Sequence, residues 1–207
     1  MDAVKTAIIY YSSTGTNYKL AQWAAESAKE EGSEVRIRKA RELAPEEVIA
    51  KNPAWKANVE ATKAIQEVSL EDLEWADVYV FSMPTRYGNV PAQMKQFMDS
   101  TGPLWQKGAL ANKVVTAMTS AMNPHGGQEA TLLAFYTTMY HWGAIVVAPG
   151  YTGQALYGAG GNPYGTSVSV DMQGQMSPGP DRIKDAVSHQ VKRAVTIGKW
   201  LLQGRTG

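Results

Sequence analysis

Cysteine is absent from this chain of 207 residues. That excludes disulfides, thiolate nucleophiles, Cys-ligated zinc and iron–sulfur clusters. No charge of one sign dominates, because 20 Lys and Arg against 19 Asp and Glu leave a formal net charge of +1. A nucleic-acid surface needs clustered cations to displace counterions, and neither a basic cluster nor a helix-turn-helix pattern with a basic recognition helix is visible, so no nucleic-acid partner is expected. No run approaches the ~18 consecutive apolar residues of a membrane span, so no membrane insertion is expected either. The opening Met1-Asp2-Ala3-Val4-Lys5 runs into a strand-like segment without an apolar stretch or an A-x-A cleavage pattern, which makes a cytoplasmic location the expectation. With 44% hydrophobic and 19% charged residues, the remainder has ordinary globular composition. The length suits one α/β domain over residues 1–207.

Apolar, β-rich runs fall at Val4–Tyr11, Asp77–Met83, Lys113–Ala121 and Ala144–Ala148, and Glu34–Lys39 alternates with period two like a half-covered edge strand. Between them lie helical patterns. Asn17–Glu31 puts Leu20, Trp23, Ala24, Ser27 and Ala28 on one face, with Gly32 as its stop. Val90–Thr101 has Pro91 in its first turn, and Gly102-Pro103 ends it. Gly126–Trp142 reads as a mostly buried helix and Asp181–Gln203 as an amphipathic one. Strands alternating with helices indicate a parallel sheet covered on both faces. Five strands and five helices in this length predict an α/β, flavodoxin-like doubly wound fold with a five-stranded parallel sheet in the order 2-1-3-4-5. Two stretches are extra: one near 44–69, and one near 150–180 that is rich in Gly, Tyr and Pro. Long irregular segments are commonly functional or partner-facing, and Tyr151, Tyr157 and Tyr164 make the second a candidate for subunit contact, against the alternative of a solvated surface loop.

In such a sheet, ligands bind beyond the carboxyl ends of the strands, where the strand order reverses. Three loops lie there. Ser12-Ser13-Thr14-Gly15-Thr16-Asn17 follows a strand and opens a helix, so its hydroxyls and free amides meet the positive end of a helix dipole. It is either a phosphate cradle or a polar helix cap. With neither a G-x-x-x-x-G-K-[ST] nor a strand-linked G-x-G-x-x-G pattern, and with no loop lysine or metal-ligand acids, a phosphate monoester fits better than a triphosphate, and no metal site is expected. The second loop, Pro84-Thr85-Arg86-Tyr87-Gly88-Asn89, offers a ring face at Tyr87, close backbone approach at Gly88 and hydrogen bonds from Thr85 and Asn89. Arg86 faces either a ligand or a neighbouring subunit. The bland reading is a turn with an exposed aromatic. The third loop, Ser120-Ala121-Met122-Asn123-Pro124-His125-Gly126-Gly127, exposes backbone donors, and His125 either contacts a ligand or is solvated. His141, near the end of the next helix, reads as a helix-end cation or a core residue, and Trp105 as a loop aromatic able to line a pocket. His189 lies on the polar face of the last helix and carries no assigned role.

Taken together, Tyr10-Tyr11-Ser12, Pro84-Thr85-Arg86-Tyr87-Gly88-Asn89, Gln93-Met94 through Asp99, Thr101-Gly102-Pro103-Leu104-Trp105 with Gly108-Ala109-Leu110, and Gly126-Gly127-Gln128-Glu129 resemble the WrbA-type NAD(P)H:quinone oxidoreductases from residue 4 to about 200. P-T-R-[FY]-G-N with a later G-G-Q-E is a specific combination. The resemblance implies bound FMN, NADH or NADPH as electron donor, a quinone as acceptor and a homotetramer whose sites are walled by neighbouring subunits. FMN phosphate would lie at Ser12–Asn17, the isoalloxazine edge at Thr85–Asn89, and the ribityl chain and ring beside Ser120–Gly127. Trp105 and His141 match positions lining the space over the flavin, with His141 the candidate donor to a developing quinol oxygen and Trp105 the residue sandwiching the ring. The chain departs from the pattern at Thr14, where relatives often carry Tyr, and at Ala121–Gly127, where they often carry S-T-G-T-G-G-G. Rival expectations are an electron-carrier flavodoxin, which is commonly strongly acidic, and a non-catalytic interaction protein. A response regulator would need an acidic cluster after the first strand, where this chain has Ser12-Ser13-Thr14.

Overall fold

A computed structural model describes residues 3–204. Met1 and Asp2, on which part of the N-terminal expectation falls, lie outside the described residues. Four parallel strands form the frame: β1 (Lys5–Tyr10), β2 (Glu34–Lys39), β3 (Val78–Pro84) and β4 (Val114–Ala121). They lie in the order β2-β1-β3-β4, with Tyr10 opposite Ser82 and Pro84 opposite Ser120. Successive side chains leave opposite faces of a strand. Ile8, Val78, Val80 and Met118 therefore pack on one side, against α1 (Thr16–Glu30) and α9 (Pro180–Gly204). Ile9, Tyr79, Phe81 and Ala117 pack on the other, against α5 (Ala92–Asp99) and α7 (Gln128–His141). With both faces covered, β1, β3 and β4 are buried along nearly their whole length and mostly apolar, with Ser82 and Ser120 near the carboxyl ends of β3 and β4.

The fifth lane departs from expectation, and the five-stranded, all-parallel sheet is corrected. The outer edge of β4 is paired by two short strands in succession. β5 (Ile145–Val146) pairs with Val114 and Val115, and β6 (Ser167–Val170) pairs with Thr119–Ala121. A further strand, β7 (Met176–Ser177), adds antiparallel to β6, so the sheet has seven strands among the described residues and is mixed. The expected strand Ala144–Ala148 thus shrinks to two residues. Pro149 and Gly150, at φ +56°, turn the chain away from the edge, and the excursion contains α8 (Gln154–Gly158) before the lane resumes. The segment near 150–180 is accordingly part of the sheet as well as a loop.

The segment near 44–69 holds two short helices, α2 (Glu46–Ala50) and α3 (Pro53–Ala61), and is followed by α4 (Leu70–Trp75). Ser69 and Asp72 form a capping box on α4. Asp72, buried, also receives Arg38 at 3.0 Å and Arg36 at 3.4 Å, and Arg36 lies 3.9 Å over the Trp75 ring. These contacts tie α4 to β2. The remaining short helix, α6 (Gly102–Gln106), follows α5.

Candidate functional site

The three loops meet beyond the carboxyl ends of β1, β3 and β4. In the first, Ser12 is buried and its Oγ accepts from the amides of Gly15 at 3.0 Å and Asn17 at 3.2 Å. Gly15 has φ +98°, a conformation that a side chain strains, and it starts α1. The amides of Ser13, Thr14 and Thr16 carry no hydrogen bond among the described residues. Three unpaired donors at the start of a fifteen-residue helix are an arrangement able to receive an anion.

Asn17 is buried and ties the loops together. Its Nδ2 donates to Ser120 Oγ at 2.8 Å, and its Oδ1 accepts from Ser82 Oγ at 3.2 Å. Ser120 begins the third loop, so one side chain spaces the first loop from the third. Arg86 Nη2 donates to Ser13 Oγ at 3.3 Å and links the first loop to the second.

The second loop is a tight hairpin. Arg86 and Asn89 exchange both backbone bonds, at 2.9 and 3.0 Å, around Tyr87 at φ +53° and Gly88 at φ +75°. Two successive positive φ values define a primed turn. A tyrosine in this region is uncommon, and Tyr87 stands fully in solvent with its ring free. Thr85 holds the turn: its Oγ1 accepts from the Gly88 amide at 3.2 Å and pairs with Thr131 Oγ1 at 2.6 Å, while its amide donates to Ser120 O. Pro84 is buried at the end of β3.

In the third loop, Asn123 Oδ1 accepts from the His125 amide, and its carbonyl accepts from Gly126 N and Gln128 Nε2. Met122 and His125 are exposed and Ala121 is half-buried. Gly127, at φ +88°, comes so close to the second loop that a Cβ there would lie 2.7 Å from Gly88 Cα. Gln128 Oε1 is buried without a partner. Beside this loop lies an open cleft of about 960 Å³, walled by His125, Gln128 and Leu133 and, across it, by Tyr151 and Tyr157. The two tyrosines stack with ring centroids 5.5 Å apart.

The structure brings the Ser12–Asn17, Pro84–Asn89 and Ser120–Gly126 residues to one rim. It does not bring His141 and Trp105 there. Gln128 and His141 lie at opposite ends of α7, roughly 20 Å apart at 1.5 Å per residue. His141 and Trp105 lie together at the far end, where Trp105 Nε1 donates to the His141 carbonyl at 2.8 Å and leaves the indole more than half exposed.

Three residues from elsewhere in the chain support the first loop, one directly and two through neighbours. Asn58, on α3, donates from Nδ2 to the Ser12 carbonyl at 2.8 Å. Glu42 accepts from Tyr11 Oη at 3.2 Å, next to the loop. Trp55 donates from Nε1 to Glu42 at 2.9 Å. Burial, reinforced by the Glu42 charge, pushes the Tyr11 phenol up, so the phenol stays a donor through the neutral range. No motif marks these residues; only their being polar in an inserted segment could have drawn notice.

Known proteins resemble this chain in sequence and fold. The family described as NADPH-dependent FMN reductase matches residues 4–155. The NAD(P)H dehydrogenase (quinone) of Deinococcus radiodurans is 50% identical over 199 residues, covering 96% of this chain and 98% of that protein. The NAD(P)H dehydrogenase (quinone) of Geotalea uraniireducens is 38% identical over 202 residues, covering 94% and 97%. Among solved structures, a flavodoxin, WrbA-like protein from Agrobacterium tumefaciens superimposes with TM-score 0.63 at 19% identity, covering 96% of this chain and 99% of that one. At that identity the likeness establishes the flavodoxin-like fold alone.

Proposed function

This chain belongs to the NADPH-dependent FMN reductase family, and from that premise we propose that it is an FMN-dependent oxidoreductase that passes two electrons from NAD(P)H to a quinone. Near-full-length identity with proteins named for that reaction supports the activity. The observation in the chain itself that carries the cofactor is the trio of unpaired amides at Ser13, Thr14 and Thr16 at the start of α1. A doubly charged phosphate monoester is the ligand such a cradle suits. The orphaned Gln128 Oε1 and the glycine approach at Gly88 and Gly127 fit a flat, polar-edged ligand lying against the other two loops.

In this reading Ser12 shapes the phosphate loop through the two amides that its Oγ accepts and keeps its hydroxyl proton to donate to the phosphate. Ser13, Thr14, Gly15 and Thr16 hold the phosphate, and Asn17 spaces the loops. Thr85, Arg86, Gly88 and Asn89 border the ring, Pro84 sets where the turn leaves β3, and Tyr87 presents its face. Ser120, Ala121, Met122, Asn123, His125 and Gly126 border the ribityl chain and ring. When bound, FMN supplies two-electron chemistry; the chain binds, orients and excludes water.

His141 and Trp105 are proposed to line the acceptor space, His141 donating a hydrogen bond to the reduced quinone oxygen and Trp105 covering the ring. Since both sit at the far end of α7, they serve the site of a neighbouring copy in a homotetramer. The exposed Trp105, Tyr140 and Leu133 give that assembly an apolar surface to bury. A single domain over residues 1–207 and a cytoplasmic location complete the reading; no helix among the described residues is long and apolar enough to cross a membrane.

The test is a visible spectrum of the protein with FMN, followed by anaerobic NADH and then benzoquinone. Bleaching by NADH and recovery with quinone supports the proposal. Binding without bleaching favours an electron carrier. Absence of binding refutes the cofactor reading.

A further inference from the structure

We propose that Glu42 is a positioning residue for the phosphate loop, acting through Trp55 and Asn58 of α3. The inference rests on the FMN reading above. Glu42 gathers donors from three separate parts of the chain. Oε1 accepts from Gln93 Nε2 at 3.0 Å and from the Leu43 and Ala44 amides at 2.8 and 3.0 Å. Oε2 accepts from Trp55 Nε1 at 2.9 Å, and Tyr11 Oη donates across both oxygens at 3.3 and 3.2 Å. Every one of these donors is neutral. An anion satisfied wholly by neutral dipoles holds orientation rather than forming an ion pair, since each donor must point at it to compensate for lost water.

The three donors besides the local amides come from positions that matter. Tyr11 immediately precedes Ser12, Gln93 is in the first turn of the helix after the second loop, and Trp55 is on α3. That helix has no buried residue of its own, so apolar packing does little to hold it in place. Its attachment is polar: Trp55 to Glu42, Asn58 to Ser12, and the Thr62 carbonyl to Lys39 Nζ at 2.8 Å. Trp55 and Asn58 are three residues apart and therefore share a face. Fixing Trp55 on Glu42 fixes where Asn58 stands.

Asn58 in turn forms the floor of the cradle. Its Nδ2 holds the Ser12 carbonyl, and its Oδ1 lies 3.5 Å from where a Cβ on Gly15 would sit. The loop is thus gripped from inside by the Ser12 hydroxyl and from below by Asn58, with the Ser13, Thr14 and Thr16 amides left facing outward. Preorganised donors bind an anion without the cost of ordering them at the moment of binding. A helix with no core of its own, braced on a carboxylate and propping this one carbonyl, is what such preorganisation requires.

The experiment compares two flavins on the apoprotein. FMN and riboflavin differ only in the phosphate, so an effect on the cradle appears with FMN alone. Binding is read by quenching of flavin fluorescence in the unaltered protein and in Glu42→Ala, Glu42→Gln, Trp55→Phe and Asn58→Leu, with far-UV circular dichroism on each. Trp55→Phe removes the N–H donor while keeping an aromatic ring, and guards against loss of fold. The expected result is a loss of FMN affinity of about tenfold in Glu42→Ala, Trp55→Phe and Asn58→Leu, and less in Glu42→Gln, with riboflavin affinity unchanged. The combined Glu42→Ala, Asn58→Leu variant should lose little more than the worse single variant, because both act on one element. Equal losses for FMN and riboflavin, or unchanged FMN binding in all variants, overturn the inference while leaving the cofactor reading intact. An unaltered protein that binds neither flavin overturns both.

Discussion

Replacing Gly127 by Ala tests whether the second and third loops touch as described. Two costs are separable. The first is conformational: at φ +88° a β-carbon is disfavoured by about 1–2 kcal/mol. The second is steric. The new Cβ would lie 2.7 Å from Gly88 Cα, a backbone atom that cannot rotate aside. The loops would have to part by roughly 0.7 Å to reach ordinary contact, and forced overpacking costs about 1–3 kcal/mol. Gly32 isolates the first cost, because it has φ +74° with nothing within 4 Å of its hypothetical Cβ. Urea unfolding of the apoprotein should therefore place Gly32→Ala about 1–2 kcal/mol below the parent and Gly127→Ala about 2–5 kcal/mol below it, with equal m-values. Loss of unfolded-state freedom is common to both and cancels in the difference. Only Gly127→Ala should also weaken FMN, since it alone spreads the rim. Equal destabilisation by the two substitutions, within about 0.5 kcal/mol, would refute the close approach of the loops.

Other expectations follow from the same geometry. Tyr87→Ala should leave the urea midpoint unchanged, because the ring touches nothing and exposed substitutions typically shift stability by less than about 0.5 kcal/mol, yet should weaken FMN binding. Burial is the leading cause that raises the phenols of Tyr10, Tyr11, Tyr79 and Tyr136 well above their ordinary value. Their stabilising effect is complete below pH ~10, where the unfolded chain titrates, and is lost as pH rises from there towards the folded values, by about 1.4 kcal/mol per pH unit for each; a urea midpoint flat between pH 9 and 11 would contradict their burial. His141→Ala should slow quinone reduction and spare FMN binding. Mixing it with a variant crippled in the phosphate loop should restore part of the activity if sites are shared between copies, and no recovery would put His141 outside a neighbour's site.

What was legible in the sequence was whatever repeats a physical rule over enough residues. β1, β3 and β4 are mostly apolar because both their faces are covered, and such runs announce themselves. Once the strands were placed, the rule that ligands gather beyond their carboxyl ends located the three loops before any contact was known. The split of the fifth lane was not legible. Ile145–Val146 is two residues, and Ser167–Val170 alternates Ser and Val inside a Gly- and Pro-rich stretch, so neither carries a pattern long enough to distinguish a strand from a loop. α3 was invisible for the opposite reason: with no buried residue it has no apolar stripe. Glu42 and Asn58 meet their partners 31 and 46 residues away, and a single long-range polar contact leaves no local trace. The distance between His141 and the loops, by contrast, was implicit in the helix read over Gly126–Trp142, which α7 bears out.

The split lane also poses a problem that the chain solves with side chains. In a parallel strand every second residue directs both its amide and its carbonyl to the same neighbour. On the outer edge of β4, Val115 O accepts from Val147 N at 2.8 Å, and Thr119 N donates to Thr166 O at 3.0 Å. Ala117, between them, faces the gap where no strand runs. Its amide donates to Tyr136 Oη at 3.1 Å, and its carbonyl accepts from Gln190 Nε2 at 2.8 Å. Each of these side chains then reaches the returning segment: Tyr136 Oη donates to Tyr164 O at 2.7 Å, and Gln190 Oε1 accepts from Thr166 N at 2.7 Å. Both are buried, as are Ala117 and Thr166, so the Ala117 groups and the Thr166 amide have no recourse to water. Tyr136→Phe strands the Ala117 amide and the Tyr164 carbonyl, and Gln190→Leu strands the Ala117 carbonyl and the Thr166 amide. With about 1–3 kcal/mol for each buried group left unpaired, Gln190→Leu should cost about 2–6 kcal/mol and Tyr136→Phe about 1–3 kcal/mol in urea unfolding, beyond the loss of one exposed hydrogen bond. The excursion should loosen first, so amide exchange should accelerate at Thr166 and Ala117 while β1 and β3 stay protected. A loss below about 0.5 kcal/mol in both variants would mean that the edge of β4 at Ala117 is completed by something other than these two side chains.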